Sequence, residues 1–237
     1  MLFYKTIQRH AETHPHEEVC GFIGTLLDNS GHLVAFECHN SHENPQEHFR
    51  IDLPEIRRAE AVIKPLATYH SHVNGIMASS VHDRAVADEI GLPSFIYVPA
   101  HKDAVCYVPE SYLPEIEGRK FIPLIHDCLT FVRDYYRKVL NINLTNPPRT
   151  FNTWDDFAAK IPEWIAANDF EVFMAPEPHD ILVFAINSDG VPSHAGVYEG
   201  DGIMCHQRAD SPSNKVVYGG SWLKATNLVL RHKSRIR

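Results

Sequence analysis

Residues 109–123, PESYLPEIEGRKFIP, hold three prolines and one glycine and show no hydrophobic period. Proline fixes φ and removes a backbone donor, so such a stretch fits neither a helix interior nor a central strand. This break constrains the fold most, because it falls near the middle of a 237-residue chain. It leaves about 110 residues on each side, an ordinary domain size. Residues 1–110 are expected to form one domain, 111–122 a linker and 123–237 a second domain.

The first half reads as mixed helix and strand. A helix from about Tyr4 to Thr13 precedes the apolar run EVCGFIGTLL, the turn DNSG and the return strand HLVAFEC, a hairpin signal. LPEIRRAEAVI has Pro54 in its first turn and apolar residues at helical spacing. KPLATYHSH reads as a strand, SVHDRAVADEIG as a helix closed by Gly91, and SFIYVPA and AVCYVPE as two further strands.

Within this half, YHSHVNGIMASSVHD concentrates metal-ligating atoms. On a strand, residues two apart share a face, so His70 and His72 can reach one ion. A helix starting near Ser80 puts Asp83 in its first turn, able to swing back toward the strand end. Two imidazoles and one carboxylate leave a fourth position open, the arrangement of catalytic zinc. Such a site needs a base, and Glu18 is the candidate. Ser80-x-x-Asp83 is also a capping box that requires no metal. A capped helix start would in turn fix where Asp83 points, so both readings stand. His82 reads as a solvent-facing or supporting residue, and Glu17 as solvated.

Glu18-x-Cys20-Gly21, then His-x-His, seven residues and Ser-x-x-Asp, resembles the signature of JAMM/MPN metalloproteases. The resemblance spans about 105 residues and implies a mixed sheet with flanking helices. It also implies that His70, His72 and Asp83 bind Zn2+, that Glu18 is the general base, and that Ser80 stabilises an oxyanion. The implied chemistry is cleavage of a peptide or isopeptide bond. Val73 stands where that family often has proline.

The second half has helices first, LTFVRDYYRKVL and TWDDFAAKIPEWIAAN, and then strands ILVFAI, SHAGVYEG, GIMCHQ, VVYGG and ATNLVLRH. That order suggests an α+β domain. Asp127-Cys128 opens the first helix. A thiol there sits at the positive end of the macrodipole, which favours the thiolate. His194 and His206 lie on two runs joined by EGDG, a hairpin turn that would put them on neighbouring strands. Cys128 is then a candidate nucleophile, His194 its base and His206 the residue that orients the base. A buried structural cysteine is the alternative for Cys128. Cys20, Cys38, Cys106 and Cys205 read as apolar fillers in strands, and Trp154, Trp164 and Trp222 as packing residues.

Asp-Cys opening a helix, then Pro176-x-x-x-Asp-Ile-Leu-Val-Phe, then Ser-His-Ala-Gly-Val-Tyr, resembles the NlpC-type cell-wall peptidases. These are papain-like enzymes that cut peptidoglycan stem peptides. The resemblance covers roughly residues 120–235 and implies the same three roles for Cys128, His194 and His206. The chain has Asp-Cys-Leu-Thr where that family has Asp-Cys-Ser-Gly, lacks Trp-Gly-Gly ahead of the cysteine, and has His179 where glycine is preferred.

A JAMM-like unit followed by an NlpC-like unit resembles the tail-tip proteins of lambda-like phages. The resemblance implies a two-domain hydrolase acting during tail assembly or genome delivery. Its implied partners are other tail-tip proteins and bacterial peptidoglycan, and its implied places the host cytoplasm and the virion tail tip. A structural tail-tip scaffold with dispensable catalytic residues, and a cytosolic enzyme acting on protein conjugates, are the alternatives. Composition narrows the rest. Net charge is −8, which argues against nucleic-acid specificity, because affinity for phosphate backbones rests on clustered Lys and Arg. No apolar run approaches the roughly 20 residues of a membrane span. The start shows no signal-peptide pattern. Five cysteines without paired spacing fit a reducing compartment.

Overall fold

The computed structural model describes residues 1–28, 30–146, 148–153, 158–187 and 189–236. They divide into two compact units: Met1–Tyr112 with Thr150–Asn152, and Leu113–Arg149 with Thr153–Arg237. Both units are α+β, as the order of elements in the sequence leads one to expect.

In the first unit the order is α1 (Leu2–Thr13), β1 (Cys20–Leu26), β2 (Leu33–Cys38), α2 (Leu53–Glu60), β3 (Ile63–Ser71), α3 (Val81–Ile90), β4 (Ser94–Val98) and β5 (Asp103–Tyr107). The strands form one mixed sheet in the order β2-β1-β3-β4-β5. Only β3 and β4 run parallel, joined by the α3 crossover. Phe3, Ile7, Ile23, Tyr69 and Phe95 are buried at the heart of the unit. Gly21 is required on β1. A Cβ there would lie 2.1 Å from the Phe36 carbonyl oxygen and 2.6 Å from the Tyr69 ring.

The second unit runs α4 (Cys128–Leu140), α5 (Ile161–Ala167), β6 (Phe170–Phe173), β7 (Ile181–Phe184), β8 (His194–Gly200), β9 (Ile203–His206), β10 (Asn214–Val217), α6 (Ser221–Ala225) and β11 (Thr226–His232). Its six strands form an antiparallel sheet in the order β10-β9-β8-β7-β11-β6. The α4 helix lies on β8 and β9, burying Phe131, Val132, Tyr135 and Tyr136 against Val183, Val197 and Cys205. The β8–β9 turn is Asp201-Gly202, both at positive φ (50° and 73°), the conformation that a tight hairpin of this hand requires.

Three expectations change. The helix read across TWDDFAAKIPEWIAAN begins at Ile161, with Pro162 in its first turn, where a missing N–H costs nothing. Residues 154–157 of that run lie outside the described residues. Second, β6 and α6 were not anticipated. Third, residues 111–122 include Arg119 and Ile122, both buried within the second unit.

Candidate active sites

In the first unit β3 delivers His70 at its end and His72 just beyond, where the His72 N–H donates to the Tyr97 carbonyl. The α3 helix delivers Asp83 through a complete capping box. The Asp83 N–H donates to Ser80 Oγ at 3.0 Å, and the Ser80 N–H donates to Asp83 Oδ2 at 2.6 Å. Cap and convergence therefore hold together. His70 Nε2 and His72 Nε2 are 3.1 Å apart, and they lie 3.3 and 3.2 Å from Asp83 Oδ1 and Oδ2. Among the described residues this is the one cluster of histidine, cysteine and acidic side chains whose ligand atoms converge so closely.

The donor set fits zinc. Ligands at about 2.0–2.2 Å around a tetrahedral ion sit roughly 3.3 Å from one another, close to the separations observed. Both Nδ1 atoms are turned away, that of His72 toward the Ile76 carbonyl at 2.9 Å and that of His70 toward Ser94 Oγ at 3.4 Å. Outer contacts of this kind fix the tautomer that offers Nε2 to a metal. Three acceptors then face one another in a buried space, which only a cation or extra protons can satisfy.

Glu18 lies two residues ahead of β1 and is buried. Its backbone is pinned to the 40–45 segment, its carbonyl accepting from Asn40 Nδ2 and its N–H donating to the Pro45 carbonyl. Burial raises its carboxyl to about 7, with His72 pulling down and Asp83 pushing up. Burial also acts to raise Asp83, but the two imidazoles outweigh it and hold that carboxyl well below the usual range. Phe49, which the sequence did not single out, stacks on His70 at 4.5 Å. It comes from an irregular segment without a period that could have pointed to it.

In the second unit Cys128 is the first residue of α4, and Asp127 is its N-cap. Cys128 and His194 line one cavity of about 330 Å³ together with Phe121, Ser193 and Gln207. His194 Nε2 is 3.0 Å from His206 Nδ1, which leaves His194 Nδ1 free for a different partner. Burial, with His206 beside it, lowers His194 to about 3, and burial lowers His206 to about 4. The pair is therefore neutral. Burial and the adjacent Asp127 push the Cys128 thiol up to about 12. That corrects the expectation of a thiolate favoured by the helix end: desolvation and a neighbouring negative charge outweigh a macrodipole worth about 1 kcal/mol. Trp222, read as a packing residue, stands 4.8 Å from the His206 ring and 5.8 Å from that of His194. It walls off the histidine pair.

Residues 3–109 match the family described as prokaryotic homologs of the JAB domain, and residues 118–231 match the NlpC/P60 family. The tail tip assembly protein K of Escherichia phage N15 is 26% identical over 233 residues, covering 96% of this chain and 93% of that protein. The protein of the same name from Escherichia phage lambda is 27% identical over 181 residues, covering 75% and 86%. Among known structures, an NlpC/P60 family protein from Bacillus cereus is 13% identical with a TM-score of 0.36, covering 95% of this chain and 66% of that one. The chain thus joins a Prok-JAB domain to an NlpC/P60 domain and, over most of its length, is similar to the tail tip assembly proteins K of lambda-like phages.

Proposed function

We propose that this is a phage tail-tip assembly protein carrying two peptidase sites. Residues 1–110 would hold a zinc-dependent peptidase or isopeptidase, and residues 123–237 a thiol peptidase that cuts peptidoglycan stem peptides or crosslinks. It would act in the host cytoplasm while tails assemble, or in the virion tail tip as the genome is delivered. Its partners would be other tail-tip proteins and peptidoglycan. What carries the reading is one fact: a chain similar along 96% of its length to a tail tip assembly protein contains two separate convergent clusters of reactive side chains.

At the first site His70, His72 and Asp83 would hold the metal. Zinc, when bound, supplies Lewis-acid polarisation of the scissile carbonyl. Glu18, with a carboxyl near neutrality, takes the proton of the attacking water and returns it to the leaving amine. The Ser80 hydroxyl, whose oxygen accepts from Asp83, keeps its own proton to offer to the oxyanion.

At the second site the resting pair is a neutral thiol and a neutral imidazole. The Cys128 proton therefore passes to His194 Nδ1 as sulfur attacks the carbonyl. His194 then protonates the leaving amine, and water hydrolyses the thioester. His206 holds the ring through Nε2 throughout.

The purified chain is expected to carry about one zinc per molecule and to lose it in His70→Ala and Asp83→Ala. Digestion of muropeptides should vanish in Cys128→Ala with zinc content intact. Absence of digestion by the wild-type chain would remove the thiol-peptidase reading. A second reading, a tail-tip scaffold, is favoured by the high thiol value. Infectious particles at normal yield from Cys128→Ala and Glu18→Ala genomes would make it the better account.

A further inference from the structure

Asp127 is fully buried, and every acceptor position on its carboxylate is used. Oδ1 accepts from the N–H groups of Leu129 and Thr130 at 3.1 and 3.0 Å, which caps α4. Oδ2 accepts from the Leu124 N–H at 2.9 Å. Leu124 is itself held at φ 70°, inside the turn that places the chain for the nucleophile. The remaining bonds come from Arg149, 22 residues away: Nη1 reaches Oδ2 at 2.9 Å and Nη2 reaches Oδ1 at 3.3 Å. The Arg149 side chain is 4% exposed. This is a two-pronged, desolvated ion pair directly behind Cys128.

We propose that Arg149 is a positioning residue of the thiol site that acts through Asp127: its guanidinium sits on the Asp127 carboxylate and balances that charge at the helix start that carries Cys128. The inference rests on the thiol-peptidase reading for its biological meaning, but not for its test. A buried carboxylate without a counter-charge costs several kcal/mol, and it disfavours a thiolate beside it. Arg149 opposes both effects at once. Lysine is a point charge and cannot grip both oxygens, so geometry and charge can be separated.

The charged and titratable groups around Cys128 are few. Asp127 precedes it on the same element, and Arg149 approaches from the loop after α4. His194 comes from β8, His206 from β9, and Arg208 and Asp210 from the segment after β9. His126 and Arg119 come from the segment ahead of α4, where Arg119 donates to the Asp127 carbonyl at 3.3 Å and is neutralised by Asp134 at 2.7 Å. Among the described residues, Arg149 is the cation that reaches the Asp127 carboxylate.

The test is the rate at which iodoacetamide alkylates Cys128 in the full-length folded chain, located by peptide mass spectrometry and followed from pH 7 to 9. Arg149→Gln and Arg149→Met are expected to slow it about tenfold, equivalent to one pH unit. Arg149→Lys should stay within about threefold of wild type, since it keeps the charge. Asp127→Asn with Arg149→Met, which removes both charges and keeps the cap acceptor, should recover most of the rate. A purely structural role predicts a double variant as slow as the single one, or a loosened thiol that reacts faster, and either result overturns the proposal. So does wild-type reactivity in Arg149→Gln. If Arg149→Met does not fold, the Gln and Lys pair decides alone: equal rates in those two overturn the proposal. Muropeptide digestion, measured separately, reports on the peptidase reading and not on this one.

Discussion

His179 sits at φ 72°, a region that costs a residue with a Cβ on the order of 1 kcal/mol and costs glycine nothing. The NlpC-type pattern has glycine there. The structure shows what holds the histidine: Tyr135 Oη is 2.8 Å from His179 Nδ1, and Tyr136 Oη donates to the His179 carbonyl at 2.6 Å. The ring contact offsets the backbone strain. His179→Ala keeps the strain and loses the contact, so it should destabilise the second unit by about 1–2 kcal/mol. His179→Gly loses both and should lie within about 1 kcal/mol of wild type. Urea unfolding followed by circular dichroism measures this. A His179→Ala midpoint equal to wild type would show that the ring compensates for nothing.

At the scale of elements, the start of α3 does two jobs. The same Asp83 carboxylate that closes the cap with Ser80 also faces the imidazoles of His70 and His72. Ser80→Ala removes the acceptor for the Asp83 N–H, a loss of about 1 kcal/mol for an N-cap. It should also loosen the carboxylate and weaken zinc binding by roughly tenfold. Ser80→Thr should retain both properties. Zinc titration against a competing chelator reads the second effect and thermal unfolding of the metal-free chain the first. Unchanged zinc affinity in a destabilised Ser80→Ala would mean that the cap and the metal geometry are uncoupled. This site was legible because His70, His72, Ser80 and Asp83 lie on one strand, one loop and one helix, whose periods fix their relation. The elements that escaped are those too short to show a period. They are β6 with four residues and α6 with five. The apolar pattern also ran on across Pro162, which opens a helix rather than interrupting one. Phe49, Arg149 and Trp222 were hidden for another reason. Each reaches its site from far along the chain, from an irregular segment or a one-turn helix, and only the folded chain brings it there.

At the scale of the whole molecule, the histidines couple folding to pH. In the second unit burial lowers His126 to about 3, with Arg119 adding to the effect, and lowers His194 to about 3 and His206 to about 4. The unfolded chain titrates them near 6.5, so below that value it binds more protons than the folded one. The stability they contribute is intact at neutral pH and drains away as pH falls from about 6.5 toward 3–4. Each such histidine should cost about 1 kcal/mol between pH 6.5 and 5.5. Asp127 works in the same direction at lower pH. Its folded value is depressed, chiefly by the Arg149 charge acting against burial, so its contribution is lost only under stronger acid. Trp164 and Trp222 both lie in this unit, so tryptophan fluorescence follows its unfolding. The fluorescence melting temperature is expected to drop between pH 7 and 5. His126→Gln, which keeps a donor for the Lys120 carbonyl but takes up no proton, should flatten that slope by up to about one third, His179 and His232 being lowered as well, without moving the residues of the thiol cavity. A melting temperature that holds steady down to pH 5 would mean that these imidazoles open to solvent before the unit unfolds. The neutral Cys128–His194 pair on which the order of proton transfer depends would then not be the resting state.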